Sequence, residues 1–160
     1  MNKVNGTQAS FAPVREDGSR ITICYGLKKL SKDLYEWLEV YLPKKQMSQL
    51  TLADVKEAII GDIDERVKAQ IIGGMIWNDK PVWYSIENQL NFTNATAPVT
   101  LKIGEQEDGT AIYEDFDTEE KLTAFCAACN AHKQNALTAG WAEKDGIDWA
   151  PYEDYFKTEE

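Results

Sequence analysis

The residues best suited to chemistry lie late in the chain: Cys126, Cys129 and His132, spaced three apart. Thiolate and imidazole are good zinc ligands, and residues three apart on a helix share a face. The two cysteines could equally form a redox pair, since a helix N-terminus lowers a thiol pKa. Zinc usually takes four ligands, however, and the one thiol left over is Cys24. The pair also falls mid-way along a predicted helix, away from its N-terminus. The pattern therefore favours Cys129 as a small apolar core residue with Cys126 flanking it. His132 is the sole histidine, so any Ser–His–Asp or Cys–His triad must use it. No G-x-S-x-G elbow accompanies it. The expectation is a non-enzyme with no catalytic, metal or cofactor-binding residues.

Carboxylates cluster at Asp62/Asp64, Glu105/Glu107/Asp108 and Asp145/Asp148. Such groups can bind calcium or work as an acid–base pair, but none matches the twelve-residue calcium loop. On so acidic a chain they read as solvated turns. No P-loop is present, and Gly73-Gly74 is too small a feature to cradle phosphate. Asp and Glu total 27 against 17 Lys and Arg, a net charge of -10. That field opposes nucleic acid and anionic lipid. The only basic pairs, Lys28-Lys29 and Lys44-Lys45, are too short to reverse it.

The aromatic residues carry the sharper signal, with five Trp and seven Tyr. Aromatic side chains serve cores and interfaces alike. Trp77, Trp83 and Tyr84 lie on one predicted hairpin, where alternation puts some on each face. One of Trp77 and Trp83 is expected in the core, and an aromatic outer face would serve a partner or stack a sugar. Phe11 near the start, and Trp149, Tyr152, Tyr155 and Phe156 near the end, complete the protein-interface candidates. Trp141 is expected to cover its own core.

The elements that must position these residues read as α+β: antiparallel hairpins alternating with about three helices in one compact domain. Residues 1–18 look like a flexible or docked arm ending in a turn at residues 16–19. Strands are predicted over Arg20–Leu27 and Leu34–Leu42, joined by a loop over Lys28–Asp33. Leu34, Leu38, Val40 and Leu42 would share one face, and Tyr35, Trp37 and Tyr41 the other. Thr51 with Asp54 can cap a helix carrying Leu52, Val55, Ile59, Ile63 and Val67 and ending at Gly73-Gly74. Asn78-Asp79 tolerate positive φ and suit a tight hairpin turn. Ser85 can cap a second helix to about Ala95, strands follow at Val99–Ile103 and Ala111–Phe116, and Asp117 with Glu120 can cap a third helix. Gly140 sits where that helix should end, and Pro151 should keep the acidic, aromatic tail 141–160 from forming a helix. The domain proper would then span 19–140.

Three segments together resemble a known family: Trp37 to Gln46, Leu50 to Ile63, and Trp77 to Trp83 leading into Glu87 to Phe92. With Gly140 to Trp149, and Lys3 to Pro13 at the start, they are similar to small uncharacterised proteins of phages and prophages of gut Bacteroidetes. The likeness covers roughly residues 35–152. It implies a virion structural or virion-associated protein, such as a fibre, fibre anchor or decoration component, and supplies no catalytic residues. The implied partners are other virion proteins and further copies of the chain, with no nucleic acid and no membrane. The implied location is the virion, after synthesis in a host bacterial cytoplasm, in keeping with an opening that lacks a secretory signal. A non-virion accessory protein that binds a host or phage partner is the alternative, and a small metal or redox protein using Cys126, Cys129 and His132 the third reading.

Overall fold

A computed structural model of the chain describes residues 2–43 and 50–157. The basic pair Lys44-Lys45 lies outside the described residues. The α+β class holds: four helices of eight or more residues accompany antiparallel hairpins. The chain divides into two compact units, residues 1–64 with 143–160, and residues 65–142.

The first unit holds a four-stranded sheet of β1 (Asn2–Gly6), β2 (Val14–Asp17), β3 (Arg20–Lys29) and β4 (Tyr35–Pro43), in the order β1-β4-β3-β2. The segment before β3 is docked rather than flexible: β1 pairs along β4 and β2 along β3, and Val14 is buried. A segment with few apolar residues can still order itself when a sheet edge satisfies its backbone groups. β3 runs two residues longer than predicted because Lys28 and Lys29 pair with Glu36 and Tyr35, with a bulge between Tyr25 and Lys28 where Gly26 takes φ 67°, and β4 is shifted by one residue. Alternation along β4 is as predicted, but its weights are reversed. Trp37 and Glu39 are buried, while Leu38, Val40 and Leu42 are half-buried and Leu34 is exposed. The aromatic face is covered by residues 7–13: Phe11 meets Trp37 edge-on at 6.0 Å, and Pro13 accepts a hydrogen bond from the Cys24 amide.

Helix α1 (Leu52–Gly73) starts at the predicted capping box. The Thr51 amide donates to Asp54 Oδ2 at 2.8 Å, and the Asp54 amide donates back to Thr51 Oγ1 at 3.2 Å. Val55, Ile59 and Ile63 are buried, and Asp62 accepts a hydrogen bond from the Tyr25 hydroxyl at 2.5 Å. The unit is completed by α4 (Ala150–Lys157), where Pro151 was expected to keep the tail from forming a helix. Pro151 is the second residue of this helix. In a first turn the missing N–H would have no intrahelical partner anyway, so proline is tolerated there. Asp148 caps the start by accepting from the Ala150 amide at 3.1 Å.

The second unit contains the hairpins β5 (Met75–Trp77) with β6 (Lys80–Val82), and β7 (Val99–Glu105) with β8 (Ala111–Phe116). Helix α2 (Ile86–Thr93) lies between them in sequence, and α3 (Glu119–Asp145) follows. Thr118 rather than Asp117 caps α3, accepting from the Lys121 amide at 3.3 Å. The core is Met75, Val82, Tyr84, Phe92, Ile103, Ile112, Phe116, Leu122, Phe125 and Cys129. Gly140 does not end α3 but sits buried inside it. A methyl group there would collide with Cγ2 of Val67 on α1, so the glycine marks close helix–helix approach. In an open helix Gly→Ala gains about 1 kcal/mol. At this contact Gly140→Ala should instead cost about 1–3 kcal/mol in urea unfolding, through overpacking. In a Val67→Ala background most of that cost should vanish; a stabilising Gly140→Ala would show that the approach is not close.

Candidate functional site

The β5–β6 hairpin orients the aromatic candidates. Asn78 and Asp79 hold φ of 48° and 62°, as a two-residue turn of the primed type requires. Met75 pairs with Val82 and Trp77 with Lys80, and these side chains face inward. Trp77 packs edge-on against Phe125 at 5.3 Å, so Trp77 is the core tryptophan of the pair. Ile76, its partner Pro81, and Trp83 two residues on face outward. Trp83 is 54% exposed although its backbone is fixed: its amide donates to the Ile103 carbonyl at 2.8 Å, and its carbonyl accepts from Asn88 Nδ2 at 2.7 Å. Gly104 permits this crossing, since a Cβ there would strike the Pro81 carbonyl oxygen. Tyr84 turns inward, 3% exposed, and donates its hydroxyl to Asn130 Oδ1 at 3.1 Å. It is thereby removed from the interface candidates.

Helix α2 adds further exposed apolar residues. Ser85 caps it as predicted, accepting from the Asn88 amide, and Phe92 anchors its buried side. Ile86 and Leu90, one turn apart, are 72% and 61% exposed. Neither they nor Ile76 stood out in the sequence. The available signal was the i, i+4 spacing of two aliphatics that the buried Phe92 does not share. Trp83 stands between two hollows. One, of about 620 Å³, is lined by Pro81, Trp83, Asn88, Lys102, Gly104 and Gln106 among others; the second, of about 350 Å³, includes Lys68, Ala69, Ile72 and Trp83.

The cysteine and histidine candidates have separate local partners. Cys126 Sγ donates to the Phe92 carbonyl at 3.4 Å, and His132 Nε2 lies 2.8 Å from the Gln70 carbonyl oxygen. Burial pushes the Cys129 thiol up to about 12 and raises Cys126 as well, so both remain thiols at neutral pH. Cys24 is likewise raised by burial, to about 11. Among the described residues no three His, Cys, Asp or Glu side chains gather at metal-binding distance. Asp62 and Asp64 lie within α1 rather than in a turn, and Asp64 pairs with Lys144 at 2.5 Å; Glu105 pairs with Lys102 at 2.5 Å, and Asp108 accepts from the Thr110 amide.

Two carboxylates not singled out in the sequence are buried. Glu39 Oε1 accepts from Arg15 at 2.7 Å and from the Trp37 indole at 3.2 Å, while Oε2 accepts from Tyr41 at 2.9 Å. Burial pushes Glu39 upward, but the bonds from Tyr41 and Trp37 and the Arg15 charge outweigh it and hold the carboxyl below its ordinary 4.5. Glu114 accepts from Lys80 at 2.5 Å and from Asn78, and pairs with Lys121 at 3.3 Å. The Lys80 bond, against the opposing pull of burial, holds Glu114 low too. This clamp joins the hairpin that bears Trp83 to β8 and α3. The signal in sequence was alternation: Glu39 lies between Trp37 and Tyr41, and Glu114 between Ile112 and Phe116, each on the buried face of its strand.

The remaining candidates belong to the first unit. Phe11 is half-buried against Trp37. Tyr152 is buried and donates to the Cys24 carbonyl at 2.6 Å, so it is an anchor rather than an interface residue. Trp149 is half-buried, with Lys56 above its ring at 5.2 Å. Tyr155 and Phe156 are half-buried and pack edge-on against each other at 5.1 Å. Trp141, expected to cover its core, is exposed because α3 continues past Gly140 and carries it on an outer face.

No family model matches the chain, and neither a curated protein nor a solved structure matches it.

Replacing the two hairpin tryptophans should have opposite consequences. Trp77→Ala should cost about 3–5 kcal/mol in thermal or urea unfolding, whereas Trp83→Ala should change stability by less than about 1 kcal/mol. Equal losses would contradict the facing described above. Glu39→Gln should cost about 2–3 kcal/mol at neutral pH, by leaving charged and aromatic donors poorly matched. Because the folded pKa of Glu39 lies below 4.5, its stabilisation is present above that value and lost as pH falls through the lowered one. The gap between wild type and Glu39→Gln in urea unfolding should therefore narrow in acid; a gap that widens would reverse the sign of the shift.

Proposed function

We propose that this chain is a non-enzymatic structural or associated component of a phage particle, a fibre, fibre anchor or decoration protein that works through protein–protein contacts. The observation that carries the protein-contact part is Trp83, exposed between two hollows of the second unit, which also exposes Ile76, Ile86 and Leu90. Tryptophan on a fixed backbone, flanked by concave surface, has the character of an interface hot spot. The phage setting is supported by the resemblance of residues 35–152 to phage and prophage proteins. The partners are other virion proteins and further copies of the chain, and the location is the virion. The net charge of -10 disfavours nucleic acid and anionic lipid. No helix among the described residues is long and apolar enough to cross a membrane.

Mass spectrometry of purified particles tests this reading. The chain should be present at fixed stoichiometry relative to the other virion proteins. Detection in infected cells together with absence from particles would replace it with the accessory-protein alternative.

A further inference from the structure

Trp83 and Gly73 line both hollows of the second unit. The Trp83 indole has no ring, cation or hydrogen-bond partner among the described residues, although its backbone is held by Ile103 and Asn88. The charges around it cancel. The larger hollow has one cation and one carboxylate in its lining, and Lys102 pairs with Glu105 at 2.5 Å. The smaller has Lys68 and Glu65, which pair at 3.7 Å. A lining neutralised in this way offers no net charge to hold an ion. A wholly apolar ligand is disfavoured too, because it would strip water from polar groups that it cannot bond. Those groups are the Gln106 side-chain amide, which has no partner among the described residues, and Asn88 Oδ1, left over when Nδ2 donates to the Trp83 carbonyl.

The ligand that fits is uncharged, has one flat apolar face, and carries groups at its edge that both donate and accept hydrogen bonds. A pyranose whose substituents are equatorial has this form. Its axial C–H bonds make a flat face of slight positive polarity, which suits the negative face of an indole. Its hydroxyls lie around the ring edge, where side-chain amides can both donate to them and accept from them. The volume of about 620 Å³ falls within the range of small-ligand sites. We propose that the cleft beside Trp83 binds a neutral oligosaccharide of such sugars, with one ring stacked on Trp83 and its hydroxyls bonded to Gln106 and Asn88. The inference rests on the reading of Trp83 as a contact residue and gives that contact its chemistry: the target is carbohydrate carried on a partner's surface.

Saturation-transfer NMR of the full chain with cellotriose and with tri-N-acetylchitotriose tests the site. At least one of the two should bind, with saturation passing most strongly to the axial protons of one sugar face. Trp83→Ala should weaken that binding by about tenfold or more, and Trp83→Tyr, which keeps an aromatic platform, by less. Gln106→Ala should weaken it about threefold. Gly73→Leu should abolish it by filling the cleft from the side, and the fold has room for the change, since a Cβ at Gly73 meets nothing within 4 Å. Trp141→Ala removes a comparably exposed tryptophan that lines neither hollow, and should leave binding unchanged. Circular dichroism melts check that each variant is folded. No binding of either trisaccharide at up to about 10 mM overturns the inference. So does binding that is indifferent to Trp83→Ala and Gly73→Leu, or that is lost equally in Trp141→Ala. A deca-proline peptide that binds at Trp83 when neither sugar does also overturns it, assigning the cleft to a polypeptide. Saccharide binding with absence from particles removes the virion reading alone; presence in particles without saccharide binding removes this inference alone.

Discussion

The packing around Phe125 is the constraint on which the second unit depends. Its ring is fully buried and meets three others: Trp77 from β5 at 5.3 Å, Phe92 from α2 at 5.0 Å and Phe116 from β8 at 5.0 Å. Rings at these separations, tilted or edge-on, gain attraction beyond the area they bury. The cluster therefore joins both hairpins and α2 to α3 at one point. It also sets the outer surface. With Trp77 turned toward Phe125, strand alternation and the Met75–Val82 register leave Trp83 no inward position. The exposed tryptophan is thus a consequence of core packing on the opposite face, held in place by backbone bonds to Ile103 and Asn88.

Buried charge supplies the second layer of constraint, in both units. Glu39 and Glu114 each lie on a strand face that is otherwise apolar or aromatic, and each is matched by several donors from different elements. A buried carboxylate without such partners would be strongly destabilising, whereas a fully paired one restricts which strands and helices can meet. Glu114 is the more consequential for the candidate site, because Lys80 belongs to the hairpin that carries Trp83, and Lys121 to the first turns of α3. The strand that leads into Trp83 is thereby tied to β8 and α3.

The thiols and the histidine illustrate how residues close in sequence can take separate partners. Cys126, Cys129 and His132 have the spacing of a shared site along α3. Yet Cys129 enters the apolar core, while Cys126 and His132 meet backbone carbonyls of different elements, Phe92 and Gln70. Burial keeps the thiols protonated, so they pack as small apolar groups with weak donors.

The sequence by itself determined what depends on near neighbours. The Thr51–Asp54 capping box, the Ser85 cap, the Asn78-Asp79 turn and the buried stripe Val55, Ile59, Ile63 were all legible, because each is set within a few residues along the chain. Only the tertiary structure decided what depends on distant partners. Gly140 carries the local signature of a helix end, but Val67 makes it a packing contact. Pro151 carries the signature of a helix breaker, but its place in a first turn makes it harmless. Residues 2–6 and 14–17 have too little apolar content to fold alone and become strands only because β4 and β3 present open edges to them. Which tryptophan of the hairpin reaches solvent belongs to the same class. Alternation says that residues 82 and 83 face opposite ways, but only the packing of Trp77 on Phe125 says which way is in.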